Sequence, residues 1–159
     1  MSEASFKTLR HIETVRNYLN ACIRELISRG ELHDQSKLED PEKAAYDQIT
    51  HQLRGLTYGS DAYRAVLKAQ KPAIDHHYAH NRHHPEFHPN GIHDMMLIDL
   101  LEMLCDWKSA TLRHGNGDIY KSVEINQQRF GYGDELANIL KNTVDWLEAQ
   151  VVFHKAQES

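Results

Sequence analysis

Apolar residues recur at helical spacing along most of the chain. Near the N-terminus they follow a period of about 3.6 residues through Phe6, Leu9, Leu19, Ile23 and Ile27, which is typical of an amphipathic α-helix. No segment shows the Val/Ile/Thr-rich alternation expected of strands. The chain is therefore predicted to be all-α, a compact single-domain helical bundle of about six helices over residues 1–159.

Capping and breaking residues predict where these helices begin and end. The first predicted helix stops at Gly30, and the second is capped by Asp40 with Pro41 at its first position. The third begins at about Asp61, is disturbed at Pro72 and ends before Pro85. The fourth runs from 92 to a stop at Gly115, the fifth covers 119–130 between GNGD and GYGD, and the sixth covers 135–153. A loop is predicted over 54–60.

Charge and cysteine usage restrict the classes of function. The net charge of −5 gives no reason to expect binding to nucleic acid or to anionic membranes. No apolar run approaches the roughly 20 residues of a membrane span, and the N-terminus lacks a secretory apolar segment. Cys22 and Cys105 lie in apolar helical pattern without a CxxC motif, so they are predicted to be buried free thiols in a reducing cytoplasm.

Histidine is strongly enriched in one segment. Of the 12 histidines, seven fall within 18 residues: His76, His77, His80, His83, His84, His88 and His93. This density indicates metal binding or phosphate chemistry. If a helix continues through the segment, His76, His80 and His83 or His84 share one side, with His77, Asn81 and His84 on a neighbouring one.

Three acids occupy one face of the most apolar helix. Asp99, Glu102 and Asp106 are spaced i, i+3 and i+7, so they are neighbours on that face. Carboxylates in such surroundings are costly unless a cation or histidines lie opposite. Imidazole and carboxylate ligands in an open site suit Mn, Fe, Co, Ni or Zn, and cysteine takes no visible part.

The chain contains two His-Asp pairs, and they differ in context. His33-Asp34 lies in LHDQSK, with Lys37 three residues after the Asp. His93-Asp94 has no following lysine, and Asp94 precedes Asp106 by 12 residues on one predicted helix. That separation of about 18 Å prevents the two from sharing an ion. Asp94 is better interpreted as a helix N-terminal residue.

The order His11, His33-Asp34, Asp106 resembles the H…HD…D signature of the HD-domain superfamily of metal-dependent phosphohydrolases. In that superfamily an all-α core brings the four ligands together from separate helices. The gaps of 22 (33 − 11) and 72 (106 − 34) residues are typical of small members. HDQSK is similar to the HDxGK form of the central motif, with Ser36 at the glycine position. HYAHNRHHPE and EMLCDWKSA also resemble a group of small HD-like proteins from bacteria and phages, over about residues 10–146.

This resemblance implies an enzyme that hydrolyses a nucleotide phosphoester or phosphoanhydride through a metal-activated water. The implied metal ligands are His11, His33, Asp34 and Asp106, for one or two divalent ions, with Mg also compatible. Catalytic roles are predicted for Lys37, His84 and His80. Roles in substrate binding or in orienting the ligands are predicted for His77, Asn81, His83, Glu102 and Asp99. A homodimer is implied by the resemblance alone.

Two alternatives remain open at this point. HD-type di-iron oxygenases carry two further histidines between the HD pair and the last Asp, and this chain has histidines to spare there. A non-catalytic helical binding module would hold no metal, and Asp106→Ala would then change only stability. Metal content and dioxygen consumption distinguish these readings.

Overall fold

The computed structural model describes residues 2–53, 56, 60–113 and 117–157, with side chains described except at 50 and 151–157. Every regular element in these ranges is helical, which confirms the all-α prediction, with seven α-helices rather than six. They are α1 (Glu3–Leu32), α2 (Glu42–Leu53), α3 (Asp61–Ala69), α4 (Lys71–His80), α5 (Leu97–Thr111), α6 (Ile119–Phe130) and α7 (Asp134–Gln157), with short 3-10 turns at Gln35–Leu38, Pro85–Phe87 and Gly91–Asp94.

The chain divides into two compact units, Met1–Arg82 and His83–Ser159. The organisation as one domain stays a prediction. Within the ranges that the structure describes, no helix is both long and apolar enough to cross a membrane.

Helix α1 of the first unit does not stop at Gly30. It continues to Leu32, the chain leaves the helical path at His33 with ψ 124, and Asp34 follows with φ 57 and ψ 15. Aspartate is one of the few residues besides glycine that adopts this left-handed conformation at modest cost. The prediction of a stop at Gly30 is wrong because Asp34, and not the glycine, takes the left-handed conformation after the helix.

The apolar stripe of α1 is exposed. No side chain of this helix is buried, and Phe6, Leu9, Ile23 and Ile27 each leave more than half of their surface open. The free cysteines Cys22 and Cys105 are exposed as well, which contradicts their prediction as buried thiols. The spacing of apolar residues in the sequence identifies the apolar face of a helix, whereas the burial of that face depends on what packs against it.

The predicted third helix is two helices. It is interrupted at Gln70, and Pro72 lies in the first turn of α4, where a missing N–H costs little. Helix α4 ends at His80, because Asn81 is extended and its side-chain Nδ2 donates to the His77 carbonyl at 2.8 Å. His83 and His84 therefore do not continue the helical row of His76 and His80. The predicted loop at 54–60 lies largely outside the described residues.

The second unit is built around the core of α5, α6 and α7. The buried residues of this core are Ile92, Met103, Leu104, Ile119, Val123, Tyr132, Ala137, Leu140 and Val144. Helix α6 has the predicted bounds, since the Asp118 carboxylate accepts from the Tyr120 and Lys121 backbone N–H groups and Gly131 ends it at φ 70. Helix α5 begins at Leu97 rather than 92, and Asp94 ends a 3-10 turn instead. The predicted stop at Gly115 lies outside the described residues.

Tyr132 makes the stability of the second unit dependent on pH. Its buried hydroxyl donates to the Val123 carbonyl at 2.6 Å, and burial raises the pKa of Tyr132 from 10.0 to about 12. The unfolded chain then loses this proton at lower pH than the native state, so the stabilisation is complete below about pH 10 and is lost as the pH rises through 12. We expect the urea midpoint to fall over this interval, and to fall less in Tyr132→Phe.

A second tyrosine, Tyr120, titrates in the same pH range and contributes equally to both proteins in the Tyr132→Phe comparison. The hydroxyl of Tyr120 donates to Asp145, and that hydrogen bond raises the pKa of Tyr120 to about 12. The contribution of Tyr120 to the pH dependence of stability is therefore the same in the wild type and in Tyr132→Phe. Equal slopes of the urea midpoint against pH in the two proteins would contradict the role of Tyr132.

Candidate metal centre

The turn between α1 and α2 carries the His33-Asp34 pair. His33 is the residue that follows α1, and Asp34 opens the 3-10 turn Gln35–Leu38 in its left-handed conformation. Such a backbone costs a non-glycine residue roughly 1–2 kcal/mol, and conformations of this kind cluster at functional sites. It presents the Asp34 carboxylate beside the side chains of the turn and of α4.

Nitrogen atoms of three side chains described in the first unit lie close to the Asp34 carboxylate. Lys37 Nζ lies 2.6 Å from Oδ2, His33 Nε2 lies 3.5 Å from Oδ2, and His77 Nε2 lies 3.2 Å from Oδ1. Burial raises the pKa of Asp34, but the hydrogen bonds of His77 and Lys37 and the charges of Lys37 and His33 outweigh it and hold that pKa far below its usual range. These contacts favour the ionised form of the Asp34 carboxylate.

Glu42 is a fully buried acceptor at the start of α2. Its Oε1 lies 2.8 Å from His76 Nδ1, and its Oε2 lies 2.8 Å from His77 Nδ1 and accepts from Ser36 Oγ at 3.0 Å. Burial raises the pKa of Glu42, but the hydrogen bonds from His76, Ser36 and His77 outweigh this and lower it from its usual value. Glu42 is thus a buried carboxylate that holds two adjacent histidines.

His77 lies between two carboxylates. Its side chain is 2% exposed, with Nδ1 on Glu42 and Nε2 on Asp34. A neutral imidazole carries one N–H. If Nδ1–H donates to Glu42, the lone pair of Nε2 faces the Asp34 carboxylate, which is repulsive. If Nε2–H donates to Asp34 instead, Nδ1 accepts from Asn81 Nδ2 at 3.0 Å, but its lone pair faces Glu42 Oε2. Both carboxylates are satisfied when the imidazole carries a second proton, or when Nδ1–H donates to Glu42 and a cation lies near Nε2 and Asp34.

Ser36 and Asn81 support this arrangement. Asn81 Nδ2 donates to Ser36 Oγ at 2.9 Å, and Ser36 Oγ donates to Glu42. The position that carries glycine in the resembling motif thus holds a hydroxyl with a hydrogen-bonding role, and the positive φ of the turn belongs to Asp34. Asn81, predicted to bind substrate or to orient the ligands, lies in the hydrogen-bond network that fixes Glu42.

His11 is not brought to this centre. It is exposed on α1, and α1 is continuous from Glu3 to Leu32. The 22 residues from His11 to His33 correspond to about 30 Å along a helix. The two residues therefore cannot bind the same ion within one chain, in contrast to the predicted ligand set.

Three of the predicted residues of the second unit, His83, Glu102 and Asp99, lie in carboxylate–histidine pairs. His83, which is 1% exposed, has Nδ1 3.1 Å from Glu102 Oε1, and its ring lies 4.1 Å from that of His84. The buried Asp99 accepts from the Met96 backbone N–H at 3.0 Å, and its Oδ2 lies 3.8 Å from His88 Nε2.

The remaining predicted residue of the second unit is Asp106. It is half-buried on α5, one turn beyond Glu102. Its role as a metal ligand stays a prediction. The predicted roles of His83, His84, Asp99 and Glu102 also stay predictions.

Sequence reasoning did not identify Glu42. An acid in the first turn of a helix is commonly a solvated residue that the helix dipole favours. The local sequence contains no sign that this one accepts from histidines 34 and 35 residues further along the chain.

A protein-family model described as a family of unknown function (DUF5662) matches residues 1–152 of the chain. No curated protein and no solved structure matches the chain.

Proposed function

The chain belongs to this family of unknown function, and we propose from its own residues that it is a divalent-metal-dependent phosphohydrolase. The observation that carries the proposal is the position of the buried His77 between Glu42 and Asp34. A cation next to Nε2 removes the repulsion between that nitrogen and the second carboxylate. The resemblance of HDQSK to the central HD motif supports the same conclusion, and a nucleotide is the substrate class that this resemblance implies.

The donor atoms of the first unit fit a divalent transition metal. Asp34 supplies a carboxylate, and His77 and His33 supply imidazole nitrogens that already face it. Such a mixed set suits Mn, Fe, Co, Ni or Zn, with Mg also compatible. Glu42 accepts from the other nitrogen of His77, which is the usual way in which a ligand histidine is oriented. A bound ion would polarise a phosphoryl oxygen and acidify a water.

Lys37 is the residue proposed to neutralise phosphate charge. Its half-buried ammonium lies against Asp34 and 5.1 Å from the centre of the Tyr46 ring. A cation held in this place stabilises negative charge that develops on a transferring phosphoryl group. We also propose that His84 or His80 transfers a proton during hydrolysis, that Asp106 is a metal ligand and that the chain assembles as a homodimer.

A phosphate-release screen tests the proposed activity. Purified protein is combined with Mn, Co, Ni or Mg and with a panel of nucleoside mono- and triphosphates, and its metal content is measured. We expect His33→Ala to lower release by about tenfold or more, since it removes a metal ligand. His93→Ala is the matched control, because His93 is exposed and belongs to the second His-Asp pair.

Two outcomes would overturn the phosphohydrolase proposal. One is equal release by wild type and His33→Ala with every substrate and metal. The other is dioxygen consumption by the iron-loaded protein without phosphate release, which would favour an HD-type di-iron oxygenase.

A further inference from the structure

Helix α1 carries a long apolar stripe that is open to solvent. Every side chain from Glu3 to Glu25 is exposed. The large apolar residues of the stripe leave 42–58% of their surface open, and they are Phe6, Leu9, Ile12, Val15, Leu19 and Ile23. A helix of a folded protein normally buries such a face, and a contiguous exposed apolar patch marks a site of interaction. The stripe therefore indicates a partner that packs along α1.

The stripe has the spacing of a seam between two helices. From Leu9 to Leu26 its positions alternate in steps of three and four residues, and apart from Arg16 they are apolar: Leu9, Ile12, Leu19, Ile23 and Leu26. This alternation lets two helices pack side by side at a shallow angle, with each side chain inserted between residues of the partner. Another α-helix is thus the partner that fits the stripe.

Arg16 decides the direction of that helix when it is α1 of a second copy. In a parallel pair equivalent residues meet, so two Arg16 guanidinium groups would face each other in the seam. In an antiparallel pair the two-fold axis passes between Asn17 and Tyr18. Its layers then join Leu9 to Leu26, Ile12 to Ile23 and Arg16 to Leu19 of the second copy. Arg16 is thus placed beside an apolar side chain, along which its stem packs while its charge reaches water.

The positions beside the seam are also complementary in this antiparallel register. It pairs further apolar residues of the two copies on both sides of the seam: Phe6 with Ile27, and Val15 with Cys22. Glu13 lies within reach of Arg24 of the second copy, so a carboxylate faces a guanidinium. Charge pairs at such flanking positions set the orientation of paired helices.

We propose that α1 is a dimerisation surface and binds α1 of a second copy of this chain in antiparallel orientation. The six large apolar residues of the stripe expose on the order of 600 Å² per chain, compared with roughly 800 Å² per partner in a standard protein interface. A two-fold pairing uses every contact of the stripe twice. Dimerisation through α1 requires no hydrolytic activity, and it assigns a surface to the homodimer proposed above.

Sedimentation equilibrium of the full chain measures the dimer. We expect Ile12→Glu to raise the dissociation constant by about 100-fold or more, because it places an unpaired carboxylate in each of two symmetric layers. Glutamate is a good helix former, so the helix itself is retained. Thr14→Glu is the matched control, since the exposed Thr14 points about 200° away from Ile12 around the helix. Its dissociation constant should stay within about twofold of wild type.

Double electron–electron resonance between two spin labels measures the orientation of the pair. The labels are attached at residue 7 in Lys7→Cys, with Cys22→Ser and Cys105→Ser to remove the exposed native thiols. In the antiparallel pair residue 7 of one copy lies level with Ser28 of the other, so we expect the labels to be more than about 30 Å apart. A parallel pair would hold them at one height, within about 25 Å across the two helices.

Three outcomes would overturn this proposal: a monomeric wild type at every concentration measured, equal dissociation constants for wild type and Ile12→Glu, or a short distance between the labels at residue 7. Asp34→Asn should remain dimeric with the dissociation constant of the wild type. Dimerisation that depends on Ile12 in a protein without phosphate release would support the α1 surface and contradict the phosphohydrolase proposal.

Discussion

Replacement of Asp34 by asparagine is expected to lower metal-dependent phosphate release by about 100-fold or more. The carboxylate is the negative group of the proposed centre, and Lys37, His33 and His77 surround it. Without that charge the ammonium of Lys37 is left beside two imidazoles, and this environment repels a divalent cation. Removal of a charged ligand that holds a catalytic metal ion costs several kcal/mol of transition-state stabilisation. Phosphate release and Mn²⁺ affinity are the measurements.

Asp94→Asn is the matched control for Asp34→Asn. Asp94 belongs to the second His-Asp pair and is exposed, and its carboxylate accepts from the backbone N–H of Asn90 at 3.0 Å. The same chemical change there should leave release within about twofold of wild type. Circular dichroism of both variants shows whether they are folded at the assay temperature. Phosphate release by folded Asp34→Asn at the wild-type rate would exclude Asp34 from the chemistry.

Replacement of Glu42 by alanine is expected to lower the free energy of unfolding of the first unit by about 3–5 kcal/mol. Glu42 is 0% exposed and faces three donors, on His76, His77 and Ser36. Without the Glu42 carboxylate, these three donors have lost their acceptor while they remain partly or fully buried. Each buried donor without an acceptor costs roughly 1–3 kcal/mol. Removal of one partner of a buried charge network is destabilising by a similar total.

Urea unfolding followed by far-ultraviolet circular dichroism measures the Glu42 effect. This signal reports both units, whereas both tryptophans lie beyond Arg82. Glu42→Gln keeps the shape but presents an NH₂ group to one of the donors, so a smaller loss is expected. Glu39→Ala is the control, since Glu39 is exposed and surface changes usually stay within about 0.5 kcal/mol. A loss below about 1 kcal/mol in Glu42→Ala would show that this network does not hold the unit together.

Prediction from sequence succeeded where the determining residues are close in the chain. Helix α6 has its predicted bounds because the Asp118 cap and Gly131 lie at its two ends. Asp34 and Lys37 meet because they are three residues apart in one turn. Prediction did not succeed for Gly30, because the capacity of glycine to end a helix does not oblige it to do so. Nor did it for His11, where the spacing resembles that of the motif but one uninterrupted helix separates His11 from His33.

By itself, the sequence determined the helical class, most of the helices and the local group of His33, Asp34 and Lys37. These depend on backbone hydrogen bonds and side-chain contacts over a few residues. Only the tertiary structure decided that Glu42 is buried, that it accepts from His76 and that His77 faces two carboxylates. Those outcomes join residues 34 to 43 positions apart, and the identity of a buried acceptor depends on how helices pack, which no local pattern encodes.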